Sequence, residues 1–150
     1  MPSGSTRPAA DDEPTFGDTN VLVYAYDATD RPRQLAASEA LLALWERRTG
    51  ILSSQVLQEF YVVATAAHKL AMTPSEAREI VDLYSAWPVV VVEPTLILTA
   101  SRLHERRSIS FWDALIVEAA RVGRPTRILT EDLRAGEVID GIAIVDPFGA

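Results

Sequence analysis

The sequence predicts a three-layer α/β/α domain on a mostly parallel sheet of about five strands. From Thr15 onward, short β-type segments alternate with helical patterns, which implies right-handed crossovers and strands covered by helices on both faces. The 150 residues, 48% hydrophobic and 23% charged, fit one domain with a single core. Helix ends are also marked by caps and prolines, which fixes where the strands must lie.

Residues 1–14 combine Ser, Pro, Gly and Ala with the acidic run Asp11-Asp12-Glu13 and lack apolar periodicity, so they are expected to be a flexible tail before a domain over residues 15–150. Thr15-Phe16 is the poorest strand. A short helix over residues 20–26 follows, then one over residues 33–48 with Leu41, Leu42 and Trp45 inward and Gly50 beyond its end. Ile51-Leu52 is the second strand. The helix over residues 55–69 carries an apolar stripe of Val56, Phe60, Val63 and Ala67. Thr73-Pro74-Ser75-Glu76 gives the next helix an N-cap, a first-turn proline and a capping-box glutamate, with Ile80, Val81, Tyr84 and Trp87 on its apolar face. Residues 89–92 are four valines between prolines, the clearest strand and too apolar for an exposed edge. Helices over residues 96–107 and 111–122, and strands over residues 127–129 and 142–145, complete the pattern.

Composition excludes several chemistries. The absence of cysteine removes disulfides, thiol nucleophiles and Cys-based metal sites, and two histidines leave little for a His-rich one. Thirteen of the 14 basic residues are Arg and only Lys69 is lysine, which disfavours catalysis through a lysine. The net charge of −7 disfavours polyanion binding over the whole surface. No apolar leader opens the chain and no apolar run is long enough to span a bilayer, so a cytoplasmic protein without membrane contact is expected.

In parallel sheets, ligands bind at the carboxyl ends of the strands. Four acids fall there. Asp18 follows the first strand and Asp132 the strand over residues 127–129; each alone also suits a cap or a turn. Asp113 can complete a capping box with Ser110, yet its neighbours in helical angle are Ile116, Val117 and Ala120, while Glu118 and Arg121 form the polar face. Glu59 borders the stripe of its helix, about one turn in. The four account for most of the domain's excess negative charge. Neighbouring carboxylates do not all ionise without a cation, and oxygen-only donors suit a hydrated hard ion, Mg²⁺ or Mn²⁺.

Asp18-Thr19-Asn20-Val21-Leu22, Gln58-Glu59-Phe60-Tyr61, Ile109-Ser110-Phe111-Trp112-Asp113-Ala114-Leu115-Ile116 and Leu129-Thr130-Glu131-Asp132-Leu133 together resemble PIN-domain ribonucleases, nearest the VapC-type toxins of bacterial toxin–antitoxin pairs. The likeness covers residues 15–148. It implies a metal-dependent endoribonuclease with catalytic Asp18, Glu59, Asp113 and Asp132. Asp18, Asp113 and Asp132 would hold the metal, with Thr19, Asn20 and Thr130 orienting ligands or water. It also implies an RNA substrate, 5′-phosphate and 3′-hydroxyl products, a homodimer and a small antitoxin, for which Tyr61 and Val62 offer an apolar patch. Such domains enter the first Asp through a clear apolar strand, whereas Pro14-Thr15-Phe16-Gly17 predicts a short one.

Arg31, Arg33, Arg106, Arg107 and Arg134 are candidate phosphate contacts around the rim. Trp45, Trp87 and Trp112 are able in principle to stack bases, but their helical positions favour the core, and His68-Lys69 is expected at a helix end. Two rival readings share the fold: a catalytically silent PIN-like module binding RNA or protein, and an acidic-site phosphatase or receiver domain. The second conventionally uses a late lysine, and Lys69 lies mid-chain.

Overall fold

In a computed structural model describing residues 12–149, the poorest strand of the sequence lies inside the sheet. The elements are β1 (Thr15–Gly17), α1 (Thr19–Ala25), α2 (Arg31–Arg47), β2 (Gly50–Ser53), α3 (Ser54–Thr65), α4 (Pro74–Tyr84), β3 (Val89–Val90), α5 (Pro94–Arg106), α6 (Phe111–Gly123), β4 (Arg127–Leu129), β5 (Val138–Ile139) and β6 (Ile142–Val145). Residues 1–11 of the expected tail lie outside the described residues. Its end is tied to the domain, with Pro14 O accepting from Thr126 N at 2.9 Å and Asp12 paired with Arg47 at 3.2 Å.

The strand order is β3-β2-β1-β4-β6-β5, all parallel except β5 on β6. Phe16 pairs in register with Ile51 on one side and Ile128 on the other, and is fully buried. Thr15, equally buried, keeps its hydroxyl satisfied by donating to Glu13 O and accepting from Arg127 Nε, each at 2.8 Å. Position between two partners, rather than hydrophobic content, makes this segment a strand. α1 to α4 pack together, α5 packs on α6, and helices of both groups meet β2, giving the three layers.

Among the described residues the sheet has six strands where about five were expected. The sixth, β5, returns on β6 through Asp140 and Gly141, at φ 49° and 84°, the two left-handed residues of a tight hairpin turn. The four-valine run yields only the half-buried β3 at the sheet edge, and Val91 is 63% exposed. Among the described residues it pairs with Leu52 and Ser53, and Val92 N turns away to donate to Ser54 Oγ at 2.9 Å.

Other expectations shift with the local chemistry. α2 stops at Arg47, Arg48 takes the left-handed cap at φ 57°, and Gly50 belongs to β2 instead. A Cβ on Gly50 would lie 2.4 Å from the Trp87 ring, which packs with Trp45 and Tyr84 at centroid distances of 5.2 and 5.1 Å. Leu42 is exposed; Ala37, Leu41 and Leu44 form the buried face. α3 ends at Thr65, whose hydroxyl bonds back to Tyr61 O at 2.9 Å, so His68 and Lys69 lie in the turn beyond it and Ala64 replaces Ala67 in the stripe.

Glu118 is the sharpest correction, because this expected surface acid is 3% exposed. α6 is covered by α5, β2 and β3, and is buried continuously from Ala114 to Ala120. Burial pushes the Glu118 carboxyl above its ordinary range, opposed by Arg121, which pairs with it at 3.2 Å and also with Asp140.

Candidate active site

β1, β2 and β4 run parallel, so Asp18, α3 and Thr130 all start from the same end of the sheet. A cleft of about 680 Å³ opens there, and Asp18, Glu59, Asp113 and Asp132 all line it, with Thr19 and Asn20.

Asp18 is the N-cap of α1 and only 4% exposed. Its Oδ1 accepts from Thr19 N and its Oδ2 from Thr130 Oγ1, each at 2.7 Å. Burial pushes its carboxyl up to about 7; the two hydrogen bonds oppose this, and the charges of Asp132 and Glu59 add to it. Thr130, fully buried, is the hub: its oxygen also accepts from Asp132 N at 3.0 Å and Asn20 Nδ2 at 3.4 Å. One hydroxyl thus fixes Asp18 and the start of the Asp132 turn.

Glu59 is half-buried on α3, and its Oε1 accepts from Thr19 Oγ1 at 2.6 Å. Its Oε2 lies 3.4 Å from Gln55 Nε2, which also donates to Trp112 O at 3.3 Å. Gln55 therefore ties α3 to the first turn of α6, a role not recognised in the sequence although it precedes Glu59 by four residues on the same helical face. Asp113 is half-buried, and its backbone N–H donates to the N-cap Ser110 Oγ at 3.0 Å, so the capping geometry is present. Its carboxyl is pushed up by burial first, then by Asp132, with the Ser110 hydrogen bond opposing. Asp132 is exposed at the rim.

Among the described residues, no three Asp, Glu or His side chains are drawn into a ready-made cation cage; the carboxylates ring the cleft instead. The donor chemistry nonetheless fits a hard cation. Every polar group offered by the four acids is oxygen, and Asn20 Oδ1, on the cleft wall, is buried without a hydrogen-bond partner among the described residues.

The surroundings differ from expectation in two respects. Trp112 is 60% exposed on the cleft wall rather than in the core, while Trp87 is buried and Trp45 half-buried. Of the rim arginines, Arg33 pairs with Asp30 at 3.1 Å and Glu131 at 3.6 Å and lies over the Tyr24 and Phe148 rings. Arg31 bonds Gln34 at 2.8 Å and Arg107 pairs with Glu137 at 2.7 Å. Arg107 and Arg134 line a second cavity of about 530 Å³ that shares Asp132 with the first. Arg106 is exposed on the last turn of α5.

No curated protein matches the chain. A toxin–antitoxin complex from Klebsiella pneumoniae contains a chain of similar fold, with a TM-score of 0.65 and 19% identity over 91% of this chain and 99% of that one. The crystal structure of Mycobacterium tuberculosis VapC20, a sarcin-ricin loop cleaving toxin, gives a TM-score of 0.57 and 20% identity over 76% of this chain and 86% of that one. At these identities the likeness is one of fold. The family model for the PIN domain matches residues 16–140, from the buried Phe16 of β1 to the β5–β6 turn and across all four cleft acids; the chain belongs to the PIN domain family.

Proposed function

We propose that the chain is an endoribonuclease that hydrolyses RNA with Mg²⁺ or Mn²⁺, and the toxin of a toxin–antitoxin pair. The observation that carries this reading is the convergence of Asp18, Glu59, Asp113 and Asp132, from four separate segments, on one cleft floored by the buried Asp18. Membership of the PIN family, and the fold shared with a chain of a toxin–antitoxin complex and with the VapC20 toxin, support it.

Asp18, Asp113 and Asp132 would hold the cation, which when bound lowers the pKa of water and neutralises charge on the scissile phosphate. Thr130 holds Asp18 and Thr19 holds Glu59, so neither carboxylate must reorganise as charge develops. Glu59 orients the attacking water and takes its proton. Water oxygen bonds to phosphorus as the P–O3′ bond breaks, and the leaving 3′ oxygen takes a proton from solvent water. The products carry 5′-phosphate and 3′-hydroxyl ends. Arg134, beside Asp132, would steady the strand's phosphates, whereas the charges of Arg33 and Arg107 are engaged by acids.

An antitoxin is the expected partner, and Tyr61 and Val62, 37% and 67% exposed, are proposed for the homodimer or antitoxin contact. Light scattering at micromolar concentrations and co-purification with the product of an adjacent gene test the assembly. The function is tested by incubating purified protein with total RNA in Mg²⁺, in Mn²⁺ and in EDTA, and mapping the new ends. Discrete cleavages with 5′-phosphates, abolished by EDTA, are expected; RNA left intact in both metals would overturn the reading.

A further inference from the structure

Trp112 is the one tryptophan of three that faces solvent, and it does so on the cleft wall. Trp45 and Trp87 pack against each other and Tyr84 at centroid distances of 5.1 to 5.3 Å. Trp112, by contrast, is 60% exposed, although the helix that carries it is buried from Ala114 to Ala120. A core role would turn this indole inward; its position leaves a broad aromatic face open beside the carboxylates.

The backbone of Trp112 is held at one point and its ring is touched at another. Trp112 O accepts from the buried Gln55 at 3.3 Å, and the indole meets Phe111 edge-on at a centroid distance of 5.4 Å. Asp113 is the next residue, so the ring sits at a fixed helical offset from a candidate ligand. The other aromatic side chain on the cleft wall, Tyr24, is engaged by Phe148 at 5.0 Å and by Arg33 at 5.4 Å from its centroid. Among the described residues, no guanidinium lies over the Trp112 ring, which is open to a ligand.

An open indole beside a phosphodiester-cleaving site matches the flat face of a heterocyclic base splayed from a single strand. We propose that Trp112 is the stacking platform for one unpaired RNA base next to the bond that is cut, a positioning residue that helps to select single-stranded sites. The inference rests on the ribonuclease reading and deepens it. Stacking requires a π-face but no particular edge, so Phe should substitute and Ala should not.

The experiment compares wild type, Trp112→Phe and Trp112→Ala on one RNA that the wild type cleaves. Its largely exposed side chain lets both variants fold, which thermal denaturation checks. Trp112→Ala is expected to lower kcat/KM about tenfold or more, chiefly through KM, and Trp112→Phe to stay within about threefold of wild type. Replacing successive nucleotides by abasic ribose locates the base: at one position the wild type loses the same factor, and Trp112→Ala loses nothing further. A parallel titration of the Asp113→Asn protein with a nine-residue oligoadenylate should quench indole fluorescence, and adding Trp112→Phe should remove that quench. Equal cleavage by all three proteins, equal losses in the Phe and Ala variants, abasic penalties unchanged by Trp112→Ala, or no quench would each overturn the proposal. A wild type that cleaves no RNA would overturn the ribonuclease reading instead, while the titration would still decide whether Trp112 stacks a base.

Discussion

Thr130 donates its hydroxyl hydrogen to Asp18 Oδ2 at 2.7 Å, joining the residue after β4 to the residue after β1 in the buried floor of the cleft. Thr130→Val keeps the shape and removes the donor. It is expected to cost about 1–3 kcal/mol in stability and to raise the Asp18 pKa further, since this hydrogen bond opposes burial there. RNA cleavage at neutral pH should fall, and Thr130→Ser should restore most of it. Urea denaturation and cleavage assays on the three proteins check this.

Asp18 also sets a pH dependence. Its carboxyl rises from an ordinary 3.8 to about 7 in the folded chain, so the folded state binds the extra proton between those values. Stability associated with this group is fully present below about pH 4 and is lost as pH rises through about 7. Asp18→Asn lacks the titration. In EDTA, the variant should therefore gain on wild type between pH 4 and pH 8, by up to ~4 kcal/mol. Chemical denaturation at several pH values measures the difference; a constant gap would show that Asp18 is not held in a proton-binding site.

Glu118 and Arg121 form an asymmetric pair. Arg121 has a second partner in Asp140, whereas Glu118 is 3% exposed and held by Arg121 at 3.2 Å. Glu118→Gln should therefore change stability by less than about 1 kcal/mol, while Arg121→Leu, which strands a buried carboxylate, should cost about 3 kcal/mol at pH 8. The second penalty should shrink toward pH 4, as Glu118 protonates. Thermal unfolding at both pH values distinguishes them.

The order of elements was legible because it depends on local signals, and the four acids singled out at the strand ends line one cleft. Capping at Thr73 and Ser110 is encoded within four residues and appears as expected. Strand strength was not legible, since it comes from neighbours: Thr15-Phe16 lies between two partners, while four valines at the edge find one. The burial of Glu118 and the exposure of Trp112 depend likewise on which faces of α6 are covered by α5 and the sheet. The β5–β6 turn did carry a local signal, the Asp140-Gly141 pair. In the site, Thr19 donates to Glu59 and Thr130 to Asp18, whereas Asn20 reaches Thr130 rather than an acid. The bridge from Gln55 to Trp112 joins residues 57 apart and had no local signature.

The most direct measurement is RNA cleavage by wild type and Asp113→Asn, in Mg²⁺, on proteins shown to be folded. Asn serves a helix terminus about as well as Asp, so loss of capping is a minor effect, and removing one of several crowded carboxylates should preserve or raise the stability of the metal-free protein. Cleavage should fall by at least about a hundredfold, the scale on which lost transition-state charge stabilisation is felt. Near wild-type cleavage by folded Asp113→Asn would remove Asp113 from the chemistry and contradict the proposed site.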